Sequence, residues 1–242
     1  MKKNILFLII LNFSLAFFFG CNYNNRIKRL QELEEGVKRP TTEAELQEAI
    51  KKYERRVDDI IIAEGRIGIW YKILGSRYMD QKMYKKALEC FQSALEYYPE
   101  NQNVFYQTGL AASLVAKNTL NFSLTDTNIE KEKYYNLAVS AYKRAIEIDS
   151  KYSKAIYALS VLYIFELNRA SDAVSILESV VEREKKPIRH IVLLARAYYM
   201  TGEYEKAIAM YEKAISLTGS AAIKSDAENN IKLIREALDN GK

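Results

Sequence analysis

Residues 68 to 101 read GIWYKILGSRYMDQKMYKKALECFQSALEYYPEN, and the spacing of their apolar positions decides the fold. Tyr71, Leu74 and Tyr78 recur at three and four residues and so share one helical face; Ala87, Phe91 and Ala94 do the same on the next helix. The stretch therefore predicts two antiparallel helices. Gly75 and Ala87 are small where the axes should approach, and Tyr78 and Phe91 fill the space beside them. Pro99 lacks the N–H that would continue the second helix and disfavours helical geometry at Tyr98, so that helix should stop there. One such hairpin cannot bury its own apolar faces and must stack on neighbours.

The neighbours are legible downstream. Phe105, Thr108 and Gly109 each follow Tyr71, Leu74 and Gly75 by 34 residues. Ala138, Tyr142 and Ala145 keep the spacing of the second helix, but Ala112 to Ala138 spans 26 positions where Tyr78 to Ala87 spans 9, an insertion of 17 residues. Thr127 and Glu130 have capping-box spacing, so the second helix should begin near Asn128 and run long, with a loop over 118–127. A third unit carries Ile156, Leu159, Ser160 and Tyr163, then Ala173, Leu177 and Val180 after one extra loop residue. A fourth carries Ile191, Leu194, Ala195 and Tyr198, then Ala207, Tyr211 and Ala214, with Gly202 placed for a left-handed helix cap.

The offsets W-x2-L-G-x2-Y, A-x3-F-x2-A and a closing Pro resemble a tetratricopeptide repeat (TPR), with Tyr71 in the place of the Trp. The resemblance covers residues 68 to about 219 and implies an all-α, right-handed superhelical array of about four repeats: 68–101, 102–152 with the insertion near 117–133, 153–187 and 188–219. Flanking them, Thr42 and Glu45 form a capping box before the stripe Leu46, Ala49, Ile50, Tyr53, Val57, Ile60 and Ile61, which predicts a helix from about 43 to 64. Segment 41–67 reads as an N-terminal cap or, alternatively, a coiled-coil arm. Ile223, Ala227, Ile231, Ile234 and Leu238 stripe a C-terminal helix over 220–242 whose other face is charged, as a solvating cap requires.

The start of the chain is of another kind. Lys2 and Lys3 precede an apolar run from Ile5 to Phe19, the layout of a signal peptide over 1–20 and too short to span a bilayer comfortably. Phe18, Phe19, Gly20 and Cys21 resemble a bacterial lipobox; Gly20 and Cys21 match it and the two phenylalanines depart from it. The resemblance implies lipidation of Cys21, a tether and weak helix over 21–40, and export with a lipid anchor in a bacterial membrane of unspecified leaflet. Ordinary secretion with a free cysteine, or a retained anchor, are the other readings.

Composition narrows the chemistry. Removing Lys2 and Lys3 takes the net charge from +5 to +3, too little to argue for nucleic acid. Cys90 sits beside Phe91 on a packed helix and reads as a small apolar residue. His190 is the only histidine, which leaves no multi-histidine metal site, and no phosphate loop or nucleophile elbow occurs. The sequence therefore points away from an enzyme and calls for no cofactor.

Function is expected on the surface of the array. In TPR proteins the first helices line a concave groove, which here implies Lys72; Tyr106 and Leu110; Lys154, Tyr157, Val161, Ile164 and Phe165; and Arg189, Arg196 and Tyr199. The middle of that set is apolar and aromatic, its ends basic. Lys72 matches one position of the carboxylate clamp found in some TPR proteins, but Ser76 and Gln107 replace its asparagines. The expected partner is an envelope protein or peptide with apolar side chains and some negative charge, bound by a membrane-anchored scaffold. A carrier of a small apolar ligand or lipid, and a self-associating homo-oligomeric structural protein, stand as alternatives, the groove then being covered by the N-terminal helix or a second copy. The insertion reads equally as part of a functional face and as loop drift.

Overall fold

The computed structural model describes residues 42–119 and 129–240. The signal-peptide segment, Cys21, the tether and Thr127 of the second capping box lie outside them. The described residues are helical throughout, without strands: α1 (Glu43–Asp80), α2 (Tyr84–Tyr97), α3 (Gln102–Asn118), α4 (Ile129–Ile148), α5 (Ser153–Val161, extended by a π-helical turn Leu162–Glu166), α6 (Ala170–Arg183), α7 (Ile188–Met200), α8 (Tyr204–Leu217) and α9 (Ala221–Asn240). None of these helices is long and apolar enough to cross a membrane.

The chain divides into two compact units, Met1–Ile60 and Ile61–Lys242. In the first, the Thr42 capping box closes as the spacing predicts: Thr42 N donates to Glu45 Oε2 at 3.1 Å and Glu45 N to Thr42 Oγ1 at 3.3 Å. The stripe that follows is open, with Leu46, Ile50 and Val57 all about half exposed around a shallow concavity of about 520 Å³.

The second unit is a succession of hairpins. The helix expected to end near 64 instead runs on to Asp80. Gly65 and Gly68 do not interrupt it, because they make room for the end of the α2 hairpin. Tyr98 donates its hydroxyl to Gly65 O at 2.7 Å, and a Cβ on Gly68 would lie 2.5 Å from the Tyr98 ring. Seven residues beyond Gly68, a Cβ on Gly75 would lie 2.7 Å from Phe91, and one on Gly109 would lie 2.6 Å from Tyr142. In the first two units the small position of the first helix thus seats an aromatic ring from the second. In the third and fourth units Ser160 and Ala195 hold that position, both wholly buried.

Consecutive helices pack in chain order from α2 to α9, and first helices also lie side by side, α3 beside α5 and α5 beside α7. Phe91, Tyr142, Leu159, Tyr163, Leu177, Leu194, Tyr198 and Tyr211 fill the core, each no more than 5% exposed. Leu74 departs from its expected core role and is 40% exposed, since no helix precedes α1 within this unit. Cys90 is buried as expected, and burial pushes its thiol pKa up.

The turns explain the remaining irregularities. Met83 N bonds to Tyr78 O and Glu203 N to Tyr198 O, each across five residues, with Lys82 and Gly202 at positive φ of 60° and 82°. In the third unit Arg169 N reaches Tyr163 O across six. The extra residue placed by sequence in the loop is taken up inside the helix, where Leu167 N bonds to Leu162 O five residues back. The insertion in the second unit likewise goes partly into helix: α3 has 17 residues and α4 has 20, against 13 and 14 for α7 and α8.

Gly109→Ala puts a methyl group into the Tyr142 ring. Overpacking should outweigh the gain in helix propensity and lower stability by about 1 kcal/mol or more. Ser160→Ala should act oppositely, since it removes a buried hydroxyl that has no hydrogen-bond partner among the described residues. Urea midpoints of the two variants should therefore move in opposite directions from the wild type.

Candidate functional site

Between α3 and α5 the side-by-side first helices leave a cavity of about 290 Å³, lined by Tyr106, Leu110, Tyr157 and Val161, with Tyr135 and Glu166 at one end. The first four are groove positions expected from sequence, and they come together here. Their spacing on α3 continues through Ser113, Leu114 and Lys117, one helical face throughout. Tyr106 is held in place by its neighbours, tilted against Tyr142 with ring centroids 6.1 Å apart and edge-on to Tyr152 at 5.8 Å. Tyr157 meets the His190 ring edge-on at 5.6 Å.

Two further expected residues of α5, Ile164 and Phe165, go elsewhere. Ile164 is 1% exposed and belongs to the core, while Phe165 is 55% exposed and does not line the cavity. The π-helical turn is the cause. An α-helix would bring the residue four after Val161 back to the cavity, whereas a π-turn brings the fifth. Glu166 therefore stands where Phe165 was expected.

Glu166 ties the site to the lengthened helices. The Tyr135 hydroxyl donates to its Oε2 at 2.6 Å, and Lys117 Nζ lies 3.8 Å from its Oε1. Burial, then the Glu166 carboxylate, hold the Tyr135 hydroxyl well above the ordinary tyrosine value. Lys117 and Glu166 thus place an ion pair at the cavity, the lysine being the more exposed partner. Sequence reasoning missed Lys117, Tyr135 and Glu166. The available signal was the extra residue between Tyr163 and Ala173, which shifts helical phase if it lies within the helix.

The basic residues expected at the groove ends lie outside this cavity. Lys72 is half-buried on α1, and Lys154 and Arg189 are exposed near the starts of α5 and α7. Arg196 lies 5.5 Å above the Tyr199 ring; Tyr199 in turn packs on Tyr204 at 5.8 Å. Arg196 and Tyr199 therefore form a local cluster joining α7 to α8. His190, read as a polar residue at a helix start, is 7% exposed, and its Nε2 lies 3.2 Å from Ser153 Oγ, linking the third unit to the fourth. Among the described residues no group of three or more His, Cys, Asp or Glu side chains could hold a metal ion.

Residues 69–101 and 192–220 match the family model described as tetratricopeptide repeat. The fold is a TPR array. A TPR repeat-containing protein of Borreliella burgdorferi is 26% identical over 216 residues, covering 87% of this chain and 90% of that protein. Among solved TPR-like structures, MamA from Desulfovibrio magneticus RS-1 superposes with a TM-score of 0.55 at 17% identity, over 72% of this chain and 92% of that one. YrrB, described as a TPR protein with an unusual peptide-binding site, gives 0.53 at 22% identity, over 77% and 88%.

The tyrosines of the array make its stability depend on alkaline pH. Tyr135, Tyr142 and Tyr198 are all held above the ordinary value of 10.0, in each case chiefly by burial, with the Glu178 carboxylate adding to the effect at Tyr198. A raised pKa favours the neutral phenol in the folded chain. Its stabilisation is complete below 10.0 and is lost as the pH rises beyond it, because the unfolded chain ionises first. Denaturant midpoints should fall through that range, and the fall should be shallower for Glu166→Gln, which removes one carboxylate facing Tyr135.

Proposed function

We propose that this TPR array is a membrane-tethered scaffold that binds an envelope protein or peptide, taking an apolar side chain of the partner into the cavity between α3 and α5. The observation that carries this reading is the convergence of Tyr106, Leu110, Tyr157 and Val161 on one cavity. At about 290 Å³ that cavity suits one large apolar side chain rather than a free lipid. Aromatic residues fixed by packing lose little entropy on binding and are natural anchors. The peptide-binding site attributed to YrrB supports the same use of this fold.

Tethering rests on the sequence from Lys2 to Cys21, where several acyl chains on Cys21 would give stable attachment. On this reading the anchor confines the array to a surface and raises the effective concentration of its partner there.

Two experiments test the two halves. Cross-linked affinity capture from native membranes should recover partners with the wild type and lose them, by about tenfold or more, with a Leu110→Asp, Tyr157→Asp double variant whose helicity and urea midpoint are intact. Recovery of the same proteins by both forms would remove the cavity from the function. Cys21→Ala should move the protein from the membrane to the soluble fraction; unchanged membrane retention would exclude the lipid anchor.

A further inference from the structure

Each repeat after the first buries the same three register positions of its first helix. They are Val104, Thr108 and Ala111 on α3, Ala155, Leu159 and Leu162 on α5, and His190, Leu194 and Ala197 on α7, all between 0% and 7% exposed. On each of these helices the second helix of the preceding repeat is packed: α2 on α3, α4 on α5 and α6 on α7. The first repeat has the same positions and, within Ile61–Lys242, no preceding helix. Its residues there are Trp70, Leu74 and Arg77, with Trp70 64% exposed and Leu74 40%. Ile67 and Ile73, one helical turn from them, are 40% and 39% exposed and widen the apolar face.

The opposite end of the array shows how this chain closes an edge it leaves to water. There α9 covers α8 and carries Lys224, Glu228, Lys232, Arg235 and Asp239 away from its buried stripe of Ala227, Ile231 and Ile234. Among the described residues of its unit, the first repeat has no such polar covering over Trp70.

We infer that the Trp70 face is a second docking surface, distinct from the cavity between α3 and α5, and that its occupant is an acidic amphipathic helix of a partner protein. That the occupant is a helix follows from the register, since the same positions receive a helix in all three later repeats. That it is acidic follows from the cations it presents: Arg77 holds the third register position, Arg66 lies one turn before Trp70, and neither forms an ion pair among the described residues. The same two arginines disfavour a second copy of this chain. An antiparallel two-fold pairing centred between Tyr71 and Lys72 sets Arg66 of one copy against Arg77 of the other, like charges on both sides of the contact. Tryptophan, the residue at the centre of the face, is among those most often found to dominate binding energy.

Trp70 is the only tryptophan of the chain, so its fluorescence reads this face alone. The probe is a stapled helical peptide with the sequence of α6, ASDAVSILESVVER, which fills the corresponding seat on α7 and carries Asp172, Glu178 and Glu182 against the single cation Arg183. Titrated into the full chain, it should give a saturable blue shift of Trp70 emission. An Asp172→Lys, Glu178→Lys, Glu182→Lys form of the peptide should bind at least about tenfold more weakly. Leu74→Glu in the protein, at an exposed site, should abolish the shift, whereas the Leu110→Asp, Tyr157→Asp variant should keep it, separating this surface from the proposed groove. No shift with the helical acidic peptide, or equal binding of both peptides, overturns the inference. So does a Trp70 emission that is already blue and shielded from quencher in dilute protein, because the face is then filled without a partner. A shift that grows with protein concentration alone, together with a dimer mass, assigns the face to a second copy and overturns it equally.

Discussion

The array depends on how closely two helices of a hairpin can approach. Gly75 lies under the Phe91 ring and Gly109 under Tyr142, at separations that leave no room for even a methyl group. Removing the side chain at one position lets a large, flat ring sit almost on the opposing backbone, which buries much apolar area with few atoms. Glycine is an unfavourable residue in a helix interior, so these positions cost about 1 kcal/mol each in propensity, and packing of the ring offsets it. Gly68 repeats the arrangement with Tyr98, where the ring comes from the end of the hairpin and its hydroxyl also satisfies the Gly65 carbonyl. At these three glycines the helix backbone is in contact with an aromatic ring rather than with interdigitating aliphatic side chains.

This dependence explains what could be read from the sequence. Apolar spacing at three and four residues, small residues opposite aromatic ones, a capping box at Thr42 and a left-handed cap at Gly202 are all local signals, and each has its counterpart in the structure. What could not be read depends on where an extra residue is placed. The surplus residue of the third repeat fits a loop or a helix equally well in sequence, yet inside the helix it exchanges Phe165 for Glu166 at the cavity. The continuation of α1 through Gly65 and Gly68 has the same origin, because two glycines three apart suggest a weak helix until Tyr98 is known to lie on them. Leu74 and His190 show the limit of family positions. Their burial is set by the neighbouring repeat, absent in one case and in the other supplying Ser153 and Tyr157.

The two surfaces singled out above differ in their physics. The cavity between α3 and α5 is small, preformed and bounded by side chains that already hold one another, Tyr106 through Tyr142 and Tyr152, and Glu166 through Tyr135 and Lys117. Such a site selects by shape and needs little ordering on binding. The Trp70 face is exposed, with long side chains that lose rotamer freedom when covered, so affinity there depends on apolar area and on the charges at its rim.

The π-helical turn carries a further consequence for the continuity of the array. One residue added to an α-helix rotates everything beyond it by about 100°, and in a stacked array that rotation would pass to every later repeat. Here the addition is absorbed within Leu162–Glu166, and the Tyr163–Arg169 bond closes the hairpin as its counterparts do elsewhere. The fourth repeat and α9 therefore remain in phase with the first. A wider turn of helix acts as a phase corrector, so that length can vary at one point and change the local surface while the frame that stacks the repeats is preserved.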